Sequence, residues 1–285
     1  MKTNKRVLKN TKKVIERVLT ILLCAVIVIV MLFPFYFMVI SSFKTMSEYT
    51  AATPTLFPQN ITIDGYKLLF DNFDSFGRFF VNSLIVSIVI PILQTIVCLP
   101  AAYALARLRF RGKKFLFFLF IAAMMLPGQL TIIQNYVTIV KLKLINNLGS
   151  LIILGVYSGS CIFMMRQFFL TLPKELEEAA KIDGCNSFQS FLYIVAPLSL
   201  PIISTNFILC FNGVWGDFFT PMLMFKKKQS MTLPVGLNII MGQLGNSTPT
   251  VLLAALTMTC IPVIIIFFIF RKKLIGGIAN TGLKM

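Results

Sequence analysis

The chain contains no histidine. That removes the commonest general base and metal ligand at neutral pH, and with it most hydrolase and zinc chemistries. Charge is scarce as well: 13% of residues are charged, where a soluble domain carries about a quarter. Tryptophan occurs once. The six cysteines form no C-x-x-C pair, and Cys24, Cys98, Cys161, Cys210 and Cys260 sit in apolar runs, where the thiol behaves as a small hydrophobe. Neither a disulfide framework nor a metal cluster is expected from such spacing. A G-x-x-x-x-G-K-[ST] phosphate loop is also lacking. Gly112-Lys113 has neither the earlier glycine nor a following Ser or Thr, so no ATP hydrolysis by this chain alone is expected.

What the chain does have is apolar length. Of 285 residues 57% are hydrophobic, with a mean hydropathy of +0.84. A bilayer-crossing helix needs about 20 mostly apolar residues. About six stretches qualify: Val18 to Ile40, Phe79 to Ala106, Lys114 to Ile133, Leu148 to Leu170, Leu198 to Leu223 and Thr250 to Phe270. The first has a basic prefix, but its apolar run exceeds a signal-peptide core and no small-residue cleavage site follows. It is expected to remain as a span. Pro91, Pro100 and Pro127 fall inside spans, where neighbouring helices can satisfy the freed carbonyls. Gln134 to Asn147 is expected as a short interfacial helix or loop.

The formal net charge of +17 invites a nucleic-acid partner, but its placement argues for a membrane. Basic residues crowd Lys2 to Arg17, Arg107 to Lys114 and Arg271 to Lys273, each beside an apolar run. That is the cytoplasmic bias of Lys and Arg in membrane proteins. It puts both termini inside, residues 1–17 as a basic cytoplasmic segment, 18–285 as the membrane domain, and Ser41 to Arg78 outside. Lys226-Lys227-Lys228, outside in this topology, runs against the bias.

Between the fourth and fifth spans lies a polar island, about residues 173–197. Pro173 suits a first helical turn. Glu175, Glu177 and Glu178 suit the positive end of a helix dipole. Gly184 is a helix-ending residue, and Asn186 or Ser187 can cap a second helix. The pattern predicts helix, glycine turn, helix, with Leu176, Ala179 and Ala180 sharing a face.

Glu178, Ala179, Ala180, Gly184, Ile194 and Pro197 fall in the spacing EAA-x3-G-x9-I-x-x-P. This resembles the cytoplasmic coupling loop of the membrane subunits of ATP-binding-cassette importers, with Ala196 where that family usually has Leu. WGDFFTPM (Trp215 to Met222), TLPVGL (Thr232 to Leu237), MMLPGQL around Pro127 and the tail GGIANTGLKM ending at Met285 are similar to segments of the maltose-type sugar permeases. In these, Gly216 stands for an Asn and Met285 for a last Gly. The likeness runs from about Phe33 onward. It implies an all-α polytopic fold of the type I importer permease kind. It also implies a coupling helix in which Glu178, Ala179, Ala180, Asp183 and Gly184 meet a cytosolic ATPase dimer that binds the ATP and magnesium. A second homologous permease, an extracytoplasmic solute-binding protein and a carbohydrate, an oligosaccharide by preference, complete the implied assembly in a bacterial inner membrane.

Two rivals remain from the residues. An ion-coupled transporter would carry charges deep in its spans, and these spans are nearly free of them; a membrane-embedded enzyme would need a catalytic set that is not visible. Polar span residues that could line a solute path are Gln94, Gln129, Asn206 and Asn212, with Trp215 for sugar stacking. Asn206, Asn212 and Trp215 are the candidates, and interhelical hydrogen bonding is the alternative for each amide.

Overall fold

The structure is a computed structural model that describes residues 2–244 and 248–282. Within them every regular element is helical. The helices are α1 (Lys2–Ser41), α2 (Met46–Tyr49), α3 (Asp64–Asn72), α4 (Phe76–Arg107), α5 (Lys113–Met124), α6 (Gly128–Lys141), α7 (Gly149–Val156) and α8 (Gly159–Thr171). There follow α9 (Glu175–Ile182), α10 (Ser187–Ser190), α11 (Ala196–Leu198), α12 (Leu200–Trp215), α13 (Phe219–Met224), α14 (Leu233–Leu244) and α15 (Pro249–Gly282). The chain divides into two compact units, residues 1–72 with 244–258, and residues 73–243 with 259–285.

In the first unit α1 runs through residue 17 without a break, so the basic prefix and the first span are one helix. Its apolar side chains from Val18 to Phe35 are exposed, as a lipid-facing surface must be. The loop after it is ordered by polar bonds. Glu48 accepts from Thr55 Oγ1 at 2.7 Å and from the Gln59 N–H at 2.9 Å, and Ser42 and Tyr66 share a hydroxyl bond of 2.7 Å.

The second unit is built around α4. Cys98, Leu99, Ala102, Tyr103 and Leu105 of α4 pack on Cys161, Ile162, Met165 and Phe169 of α8 and on Phe191 and Val195. Nearer the other end, Val86 and Ile90 pack with Ile139, Leu151, Met224 and Phe225. The alternation of small and large side chains lets these helices come close over a long seam.

By length and composition, among the described residues, 3 helices can cross a membrane, or up to 5 if each bent pair is one span. The first, second and sixth expected spans are the long helices. The fourth is α7 plus α8, bent by 41°. The bend falls at Tyr157-Ser158, where Ser158 Oγ caps α8 by accepting from the Cys161 N–H at 3.2 Å. The fifth expected span begins too late: its helical rod starts at Ser187, and Ser187–Leu198 meets Leu200–Trp215 at 69°. Pro201 lies at the start of α12 and can donate no helical hydrogen bond, which opens the ladder there. The third expected span, Lys114 to Ile133, is two helices, α5 and α6, parted at Met125-Leu126-Pro127. Pro127 drives the residue before it out of the helical region, and its own ψ of 132° stops α5 from continuing into α6. The interfacial segment expected from Gln134 is the second half of α6, with Ile139 fully buried.

Candidate coupling site

The polar island folds as helix, glycine turn, helix. Lys174 is the N-cap of α9, so Pro173 precedes the helix instead of occupying its first turn. Glu175, Glu177 and Glu178 fill that turn, next to the unpaired N–H groups and the positive end of the dipole. The helix stops at a paired C-terminal motif: the Gly184 N–H donates to Lys181 O at 3.1 Å and the Cys185 N–H to Ala180 O at 2.8 Å. This pair of bonds needs a left-handed residue at the first position past the cap, and Gly184 has φ +87°. Two residues on, Asn186 and Gln189 cap α10 reciprocally, each backbone N–H donating to the other's side-chain oxygen at 2.9 Å.

Nothing lies within 4 Å of the position a Cβ would take on Gly184. The demand for glycine is therefore in the backbone, at about 1–2 kcal/mol for a left-handed L-residue. Gly184→Val is expected to lower the subunit's melting temperature by several degrees. Gly213→Ala, inside α12 with equally open surroundings, should leave it unchanged or raise it; equal melting temperatures for the Gly184 variant and the parent would refute this.

The face that α9 presents differs from the sequence expectation in one respect. Ala179 is exposed, but Ala180 is 4% exposed and packs into its own chain. Glu177, three residues earlier, points the same way: its carboxylate meets Arg107 Nε at 2.9 Å, with side-chain exposures of 7% for Arg107 and 14% for Glu177. A small residue at 180 lets α9 lie close against the rest of the chain. The outward face is Leu176, Ala179, Asp183 and Ile182, the last 87% exposed, continued by Phe188 at 69%. Glu178 and Gly184 are exposed as well.

Sequence reasoning missed the residues that hold the island in place. Tyr103 Oη donates to Glu177 Oε2 at 2.9 Å and approaches Ser187 O at 3.4 Å. Arg107 Nη2 donates to Leu172 O, the last carbonyl region of α8, at 2.6 Å. Arg166 Nε donates to Leu105 O at 3.1 Å and its guanidinium stacks 3.8 Å over Phe117. Lys113 Nζ donates to Ala106 O and Leu108 O, and the burial this entails, with Arg166 nearby, lowers its pKa. The available signal is an arginine placed at the junction of an apolar run and its tight basic turn.

The three candidate path residues do not form one site. Asn206 is buried; its Nδ2 donates to Gln94 Oε1 at 3.2 Å, and Gln94 Nε2 donates to Gly155 O at 3.0 Å. That carbonyl lies next to the α7–α8 bend, so the amide pair is interhelical glue that satisfies a group the bend exposes. Trp215 is buried, with Nε1 donating to Thr259 O at 3.2 Å and its ring stacked on Phe211. Asn212 alone is open, beside a cavity of about 280 Å³ lined mainly by Ile208, Val263, Ile264, Phe267 and Phe268. The Gln129 side chain and Met285 lie outside the described residues. A second cavity, of about 420 Å³, is lined by Thr131, Asn135, Asp217 and Thr220 among apolar residues; Asp217 Oδ1 also accepts from the Phe219 and Thr220 N–H groups.

The geometry is that of an all-helical chain with a capped helix-turn-helix between two bent, membrane-length helix pairs. The chain belongs to the family described as "Binding-protein-dependent transport system inner membrane component", which matches residues 97–278. It is 31% identical over 278 residues, 97% of this chain and 99% of the other, to the arabinooligosaccharides transport system permease protein AraQ of Halalkalibacterium halodurans. It is 31% identical over 283 residues, 96% and 98% of the two chains, to the galactooligosaccharides transport system permease protein GanQ of Bacillus subtilis. A crystal structure of a bacterial ABC transporter involved in the import of the acidic polysaccharide alginate contains a chain of the same fold. Its TM-score is 0.81 at 24% identity, covering 91% of this chain and 96% of that one. The protein is thus a membrane-embedded permease subunit of an ATP-binding-cassette importer, a transport component and not an enzyme, working with an ATPase and a solute-binding protein. The ion-coupled alternative falls with this assignment.

Proposed function

We propose that this subunit forms half of the translocation path for a carbohydrate, an oligosaccharide by preference, and that α9 is the helix through which a cytosolic ATPase drives it. The substrate class is carried by relatives whose names specify arabino- and galactooligosaccharide transport along nearly the whole chain. The coupling role is carried by the exposed outer face of Leu176, Ala179, Ile182 and Asp183, apolar enough to bury and flanked by Glu178. Ala180 and Gly184 serve it from behind, one by close packing and the other by the turn. The ATPase is a dimer that binds ATP and magnesium itself. One half grips this α9 and the other grips the matching helix of a second, homologous permease. Both termini and the Arg107 to Lys114 turn face the cytoplasm, and the loop after α1 faces the solute-binding protein. Among the proposed path residues Asn212 is the one whose side chain is open to solvent or a partner.

Deleting the gene should abolish growth on one or a few sugars, while single cysteines label from outside at Ser47 and not at Arg111. Loss of amino-acid or metal-ion uptake instead would refute the substrate class; the reverse labelling would refute the orientation.

A further inference from the structure

The end of α4 gathers every part of the coupling loop. Arg107 binds the carbonyl of Leu172, where α8 ends, and the carboxylate of Glu177 in α9. Tyr103, one helical turn earlier, donates to the other carboxylate oxygen of Glu177 and reaches the Ser187 carbonyl, where α10 begins. Its ring packs against Phe169 of α8 and against Phe191 just past α10. Arg166 returns the bond from α8 to the Leu105 carbonyl. One arginine and one tyrosine of α4 thus hold the two carboxylate oxygens of a glutamate that faces away from the exposed side of α9, while Arg166 ties α8 to the same end of α4. Low exposure makes the grip on Glu177 stiff, since a bond in a water-poor site loses little to solvent competition.

We infer that Glu177, with Arg107 and Tyr103, is the joint that transmits displacement of α9 to α4, and that it takes no part in the docking surface itself. This rests on α9 being the ATPase-docking helix. A rigid link to α4 matters because α4 packs on α7, α8 and α12 together, so moving its end moves the packed centre of the second unit. Glu177, Arg107 and Tyr103 are positioning residues: they act on the solute only through α4.

The test uses the complete importer in proteoliposomes, with two readouts: ATPase retained on purification, and solute moved per ATP hydrolysed. Glu177→Gln and Tyr103→Phe should keep the ATPase bound. The transport-to-hydrolysis ratio should fall by between about 5-fold and 150-fold, the usual range for lost coupling between sites. Glu177→Asp, which keeps the charge, should restore part of the ratio. A purely structural role would lower transport and hydrolysis together, in proportion to the complex recovered, and leave the ratio unchanged. An unchanged ratio in both variants overturns the inference, as does release of the ATPase by Glu177→Gln. Tyr103→Phe removes one hydroxyl from a ring that keeps its packing, so it remains informative if loss of the carboxylate prevents folding. Ile182→Lys in parallel tests docking alone: if it retains the ATPase, docking through the Ile182 face fails whatever the ratio does.

Discussion

Ile182→Lys is expected to release the ATPase from the complex and abolish solute uptake while the subunit itself folds and inserts. Ile182 is 87% exposed in the isolated chain, so the change removes almost no internal packing. A lysine in the last turn of α9 also suits the negative end of the helix dipole, which keeps the helix from being the casualty. What changes is the outer face. Burying an isoleucine side chain contributes about 1.5–3 kcal/mol, and leaving an ammonium unpaired in the same apolar contact adds a further penalty. Each 1.4 kcal/mol is about tenfold in affinity, so a loss of about a hundredfold is a conservative expectation. The measurement is ATPase co-purification with sugar uptake in the same cells. Wild-type values for both would show that α9 docks through some other face, or does not dock.

The largest effect within the subunit is expected at Gly236. A Cβ there would lie 2.0 Å from Phe79 Cδ2 and 2.6 Å from two more atoms of the same ring. Phe79 is 1% exposed and has little freedom to withdraw. The segment before α14 is tied to α4 on the same stretch: Asn82 Nδ2 donates to Gln229 O and Met231 O, and the Leu233 N–H donates to Ser83 Oγ at 2.7 Å. Overpacking of a tight core costs about 1–3 kcal/mol and sometimes more. With both walls pinned, Gly236→Val should stand at or beyond the upper end and leave little protein in the membrane. Phe79→Ala, which alone costs about 3–5 kcal/mol, should cost far less in the Gly236→Val background, since the valine fills the space the ring leaves. Additive losses in that double-mutant cycle, read as thermal stability in detergent, would contradict a direct clash.

The glycine of TLPVGL was visible in the sequence only as part of a likeness; its reason is a ring from a helix about 150 residues away, which no local pattern encodes. The coupling loop stood at the other extreme. The Glu-rich first turn, Gly184 and the Asn186 cap act over three to five residues, and each does what its chemistry suggests. Less is legible where a distant partner decides. Ala180 reads as one of a pair of surface alanines until Glu177 is found bonded to α4, which turns that side inward. For Asn206 the sequence offers both a path role and interhelical bonding, and only the fold brings Gln94 beside it and the Thr259 carbonyl beside Trp215. Span lengths came from hydropathy, which sums composition and is blind to Pro127 and Pro201 as joints. In the fold these two prolines mark where the helices end or bend.

The bonds from Arg107 and Tyr103 to Glu177 fix α9 before any partner arrives. An unfolded docking segment must be ordered at the moment of binding, and fixing each backbone residue costs about 1–2 kcal/mol. Here α9 is capped at its C-terminus, held at Glu177 and Ala180, and followed by a second capped helix, all within this chain. On the docking role proposed for α9, the ATPase would meet a finished template: little contact energy would be lost to ordering, and association would need no folding step.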